Sequence, residues 1–198
     1  MRRVVEFGGY AAAVILIAFG IGALVLSVTG RDDVRDNLAQ EKIEGSPDMT
    51  PDGIRQSVDE AGITVDDLPD CSVAGDLVDT GDEARCFAQY MRIHALESTG
   101  GKVYAEMGRY LTASGEETSD PNEAAKENGR PVPNQARDIW VTETALASAL
   151  NMAFFAEQVS NFGMVVAIAL ILAGIGFAIL AFAAFRWLPA YEERQRAQ

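Results

Sequence analysis

One histidine, His94, serves the whole chain, and no H-E-x-x-H run or nucleophile with an adjacent base accompanies it. A zinc hydrolase or a Ser-His-Asp relay therefore has no footing, and with no cofactor-binding loop the sequence reads as non-catalytic and free of cofactors. Cysteine is almost as scarce. Cys71 and Cys86 are the only two, too few thiols for zinc without histidine beside them, and their spacing lacks the C-x-x-C of redox pairs. Basic residues are a minority, 16 Lys and Arg against 29 Asp and Glu, which argues against nucleic acid as a partner because affinity for phosphates begins with a basic face. The most telling absence is of charge over long runs. Tyr10 to Val28 and Phe162 to Phe185 contain no charged residue, and each is long enough as a helix to cross roughly 30 Å of hydrocarbon.

Two such runs, one near each end, predict an integral membrane protein: a helical hairpin carrying one water-exposed domain. Arg2 and Arg3 precede the first run, and Arg186, Arg194 and Arg196 follow the second, so both termini are expected in the cytoplasm. Residues 1–9 then form a cytoplasmic N-terminus, 10–28 and 162–185 the two spans, and 29–161 an extracytoplasmic domain. Residues 186–198 make a cytoplasmic tail too short to bury a core. The competing reading of the first run is a cleaved signal peptide, whose apolar core normally covers only 7 to 15 residues before a small-x-small site. The run here is longer, and Ser27-Val28-Thr29 matches such a site poorly. At the other end, Trp187 and Arg186 suit the headgroup zone, and Pro189 discourages further helix.

Between Arg31 and Asn161, 26 Asp and Glu stand against 11 Lys and Arg, a formal charge of −15. That acidity also disfavours direct adsorption to anionic lipid. Both cysteines fall in this segment, and in an oxidising compartment they read as a disulfide closing a loop of about 15 residues, worth on the order of 3 kcal/mol. Helical signals dominate it. The first span is expected to continue through Arg31 to Lys42, and Thr50-Pro51 to start a helix that Gly62 ends. Thr80 and Glu83 fit a capping box for a helix from Gly81 to about Ala113, with Phe87, Met91, Leu96, Val103, Met107, Tyr110 and Leu111 on its apolar face and Gly100-Gly101 marking either a kink or a close backbone contact. Gly115 to Asn134 has the composition of a mobile surface loop. From Ala136 a helix runs into the second span, with Val141, Ala145, Ala149, Met152, Ala156 and Val159 as its apolar face. The predicted fold is all-α: two antiparallel transmembrane helices with an extracytoplasmic bundle of three or four helices.

Candidate sites are few. The acidic corner, with Asp76, Asp79 and Asp82, offers oxygen ligands for calcium, but its spacing does not match the D-x-D-x-D-G loop, and a solvated acidic loop is the plainer reading. Within the spans, Ala18-x3-Gly22 and Gly174-x3-Ala178 put small residues on one helix face, where close helix packing is expected either inside the hairpin or against another subunit. Neither span carries a charged residue, so this chain alone makes no ion path.

The stretches FAQYMRIHALESTGGKVYAEMGRYL, Phe87 to Leu111, and WVTETALASALNMAFFAEQVSNFG, Trp140 to Gly163, resemble uncharacterised two-span membrane proteins of high-GC Gram-positive bacteria. The resemblance implies a bacterial plasma membrane setting and carries no activity or functional residues. The sequence thus points to an accessory or scaffold protein whose outer domain binds another envelope or membrane protein, or a further copy of itself. An alternative is an extracytoplasmic ligand- or ion-sensing module acting through a separate signalling partner. Behind both stands an envelope enzyme using a metal at the acidic corner.

Overall fold

The computed structural model describes residues 7–183, with helix bounds that reach Arg2 and Arg196 along the backbone. The flanking arginines, Trp187 and Pro189, on which the orientation and the end of the second span rest, lie outside the described residues. The chain is mostly helical, with 65% of it in four helices, two of them long and apolar. These are α1 (Arg2–Glu41), α2 (Pro51–Ala61), α3 (Gly81–Ser98) and α4 (Ala136–Arg196). Two small hairpins break the all-α expectation: β1 (Tyr110–Leu111) pairs with β2 (Glu117–Thr118), and β3 (Lys126–Glu127) with β4 (Arg130–Pro131), both antiparallel. The chain divides into two compact units, one of Met1–Asp33 with Ala156–Gln198, the other Val34–Phe155.

The first unit is built from the apolar parts of α1 and α4. Both are long and apolar enough to cross a membrane, and only 17% of either apolar window is buried within the chain. The buried minority follows a seven-residue repeat of small side chains. Ala13, Gly20 and Ser27 are buried on α1, and Ala167, Gly174 and Ala181 on α4. A Cβ built on Gly20 would stand 2.6 Å from Ile171 Cγ1 and 2.9 Å from the Ala167 carbonyl oxygen. One on Gly174 would stand 2.6 Å from Ile17 Cγ1 and 3.0 Å from the Ala13 carbonyl. At these points only glycine lets the two backbones approach. The close approach thus falls elsewhere than on the Ala18-x3-Gly22 stripe. Ala18 and Gly22 face outward, and nothing lies within 4 Å of a Gly22 Cβ. On α4, Gly174 is in the contact and Ala178 is half-buried. The physical reason is position round the helix, since Ala18 and Gly22 each stand two residues from Gly20, about 200° away at roughly 100° per residue, and so on the side of α1 opposite the contact.

In the second unit, Thr50 accepts a hydrogen bond from the Gly53 N–H to start α2, with Pro51 at its first position, and Gly62 ends it in left-handed conformation. Thr80 and Glu83 form the capping box of α3: the Thr80 hydroxyl accepts from the Glu83 N–H, and the Glu83 carboxylate accepts from the Thr80 N–H at 2.9 Å. The Cys71–Cys86 disulfide is present and ties the segment before α3 to its second turn. Ile54 and Val58 of α2, Val73, and Tyr90 and Ile93 of α3 close one core around it. A second cluster joins Leu38, Val78, Ala84, Ala88 and Leu150, and a third Ala95, Met107 and Trp140.

The structure corrects two expectations here. α3 stops at Ser98 rather than running to Ala113, because Gly100 (φ 63°) and Gly101 (φ 79°) both turn left-handed. The freed chain is then held by the buried Trp140, whose indole N–H donates to the Lys102 carbonyl at 3.0 Å and to the Thr99 hydroxyl at 3.3 Å. The Gly115 to Asn134 loop is the hairpin pair. Asn128 (φ 50°) and Gly129 (φ 75°) form the two-residue turn between β3 and β4, the Asn-Gly signal of a tight hairpin. Asn134 donates to the Gly108 carbonyl and to Glu117, tying the hairpin region to the start of α4.

Candidate functional site

The sequence-derived sites fare differently once placed. Asp76 and Asp82 are exposed and Asp79 half-buried, and among the described residues no group of three or more His, Cys, Asp or Glu converges where a metal ion could sit. The carboxylates of the acidic corner thus stand apart among the described residues. The Glu83 carboxylate, in the same stretch, accepts from the N–H groups of Asp79 and Thr80. His94 has a specific partner: its Nε2 lies 2.9 Å from Asp48 Oδ2, and the Ser46 hydroxyl donates to Asp48 Oδ1 at 2.5 Å. A serine, a histidine and an aspartate thus do meet, but the carboxylate stands between the hydroxyl and the imidazole. In a proton relay the imidazole must stand between the other two. The Ser46 hydroxyl above all, with the adjacent imidazole, holds the Asp48 carboxyl below the usual carboxylate range.

The residues that come together instead line an open groove of about 630 Å³ between α3 and the first turns of α4. One wall is Phe87, Met91, His94, Ala95 and Ser98; the other is Asp138, Ile139, Thr142, Glu143 and Leu146, with Met49 at the side. The walls arise from helical spacing. Residues at 87, 91, 94, 95 and 98 recur at steps of three and four and so share one side of α3, as 138, 139, 142 and 146 do on α4. At 1.5 Å per residue the α3 wall runs about 16 Å and the α4 wall about 12 Å.

Most of the lining is apolar, and no Lys or Arg is in it. The polar exceptions are placed unevenly. Glu143 is only 6% exposed, and among the described residues its one hydrogen bond comes from the neighbouring Thr144 hydroxyl at 3.2 Å. Close by on α3, Glu97 is pushed above the usual carboxylate range by burial, and its Oε1 has no hydrogen-bond partner among the described residues. The arginines near these helices are engaged elsewhere, over aromatic rings: Arg85 on Phe154, Arg92 on Trp140 and Arg137 on Tyr104.

A second feature emerges on α4. Its buried side in this unit is Ala136, Trp140, Glu143, Ala147 and Leu150, a four-three spacing. The stripe expected in the core, Val141, Ala145, Ala149 and Met152, is the exposed one. Val141, Met152 and the nearby Phe155 are 56%, 63% and 60% exposed. Sequence reading missed both the groove and this reversal. The signal that could have found them is Glu143, a carboxylate at a seam position whose neighbours in register are tryptophan, alanine and leucine. No known protein family matches this chain, and neither a curated protein nor a solved structure does.

Proposed function

We propose that this chain is a non-catalytic, membrane-anchored accessory protein whose outer domain binds another envelope or membrane protein. The observation that carries the proposal is the exposed apolar stripe of α4, Val141, Met152 and Phe155, in a unit whose own cores are closed without it. Isolated exposed apolar residues are ordinary, but a file of them along one helix marks a surface meant to be covered. The setting is a bacterial plasma membrane, with residues 10–28 and 162–185 as the spans, both termini cytoplasmic and residues 29–161 outside.

Several features support that placement. Contacts in the first unit run in opposite order along the two helices: Gly9 meets Ala181, Ile17 meets Gly174, Gly20 meets Ile171, and Ser27 meets Gly163. This order supports an antiparallel pair. The disulfide supports an oxidising compartment for the second unit. The cluster of Leu38, Ala84, Ala88 and Leu150, which draws on α1, α3 and α4, supports a helical bundle there.

The test is site-specific photocrosslinking in native membranes from positions 141 and 152, with position 120 in the hairpin region as control. Discrete adducts of one partner from 141 and 152 and none from 120 are expected. Met152→Glu should abolish co-purification of that partner without lowering the melting temperature. No adduct at either stripe position, or the same adducts from position 120, would overturn the proposal.

A further inference from the structure

We infer that the groove between α3 and α4 receives a basic amphipathic helix of the partner protein, with a Lys or Arg on that helix pairing with Glu143. The inference rests on the partner-binding reading and adds the chemistry of the partner. Glu143 is the reason for the charge. A carboxylate with nine-tenths of its surface buried, on a seam otherwise made of alanine, leucine and tryptophan, costs stability unless something pairs with it. Among the described residues no cation does so, and its single bond from Thr144 leaves acceptor capacity facing the groove. Arginine, with its forked donors, satisfies such a carboxylate best.

Shape and surroundings select a helix. The groove is open along its length, its walls are the sides of two helices over about two to three turns, and Phe87, Met91, Ile139 and Leu146 supply apolar contacts at helical spacing. Met91 and Met49 give a surface that adapts to the side chains it receives. A second copy of this chain is the wrong occupant. The segment from Arg31 to Asn161 carries a formal charge of −15, and the short amphipathic helix α2, PDGIRQSVDEA, is itself acidic. Like charges would face one another across such an interface.

The experiment uses the full-length protein in nanodiscs of zwitterionic phosphatidylcholine, with empty nanodiscs as background. The probe is a fluorescent 18-residue helical peptide of leucine and alanine on one face and lysine and arginine on the other, with one arginine in the apolar face. A matched peptide carries glutamate at every basic position. Saturable binding of the basic peptide alone is expected, weakened at least ten-fold by Glu143→Gln with no fall in melting temperature. Ile139→Asp, at an exposed position on the groove wall, should weaken it comparably and guards against a folding defect in the first variant. Equal affinity of wild type and both variants would overturn the inference, as would equal binding of the acidic peptide. Binding of dodecylamine that depends on Glu143, with no peptide binding, would overturn it in favour of a small lipophilic cation. Loss of crosslinks from positions 141 and 152 would strike the partner reading itself, since neither residue lines the groove.

Discussion

Replacing Gly20 by alanine should loosen the helix pair of the first unit, whereas the same change two residues on, at Gly22, should not. In an isolated helix either substitution is favourable by about 1 kcal/mol, because glycine is the poorer helix former. The difference comes from what the new methyl would meet. At Gly20 it would stand 2.9 Å from a backbone carbonyl, that of Ala167, and 3.1 Å from the Ile171 nitrogen, atoms that move only if the helices separate. At Gly22 it would meet nothing within 4 Å. Overpacking of this kind costs about 1–3 kcal/mol, so Gly22→Ala should be neutral to about 1 kcal/mol stabilising, and Gly20→Ala neutral to about 2 kcal/mol destabilising. Gly174→Ala, which places its methyl 3.0 Å from the Ala13 carbonyl, should behave like Gly20→Ala. Steric trapping in bicelles, with biotin tags on the two helices, measures the separation free energy directly. Equal effects at Gly20 and Gly22, or stabilisation by both Gly20→Ala and Gly174→Ala, would refute the reasoning.

Three further outcomes are expected. Replacing Cys71 and Cys86 by serine should cost the second unit about 3 kcal/mol, read by thermal unfolding with and without reductant, because the 15-residue separation sets the loop entropy released to the unfolded chain. Trp140→Phe should cost about 0.5–1.5 kcal/mol, since it removes the indole donor from the Lys102 carbonyl and leaves that carbonyl only the Thr99 hydroxyl; melting curves test this, and an unchanged midpoint would count against the role given to the indole. The two perturbed carboxyls should act in opposite senses on stability against pH. The Asp48 carboxyl is held low, so its contribution is present above the ordinary carboxylate range and lost as pH falls through its folded value; Asp48→Asn should remove that loss on the acid side. The Glu97 carboxyl is held high, so stability is lost as pH rises from the ordinary carboxylate range through its folded value, and Glu97→Gln should raise the melting temperature at neutral pH and not in acid.

Much of the architecture was legible because it rests on local chemistry. The absence of charge over two long runs, the Thr80-Glu83 capping box, the Thr50-Pro51 start and the cysteine spacing each specify structure through nearest neighbours. The failures share a different origin. Periodicity shows that α4 has an apolar stripe, but not that Val141 and Met152 face out while Trp140, Glu143 and Leu150 face in, because two stripes compete and tertiary packing selects one. The end of α3 at Ser98 turns on two glycines that could have kinked the helix or stopped it, and the buried Trp140 indole, 38 residues beyond Lys102, helps hold the stop. Asn128-Gly129 was a hairpin signal obscured by its polar surroundings. The groove depends on α3 and α4 lying side by side, which no local pattern encodes.

The proposed placement of residues 29–161 outside the cell, on a hairpin with both ends inside, is tested most directly by labelling single added cysteines in intact cells with a membrane-impermeant maleimide. Asp120→Cys lies in the hairpin region of the second unit, and Gln198→Cys marks the carboxyl end. Labelling of position 120 in intact cells, with position 198 reactive only after permeabilisation, is the expected result. Labelling of position 198 in intact cells, or protection of position 120 until the cells are opened, would contradict it.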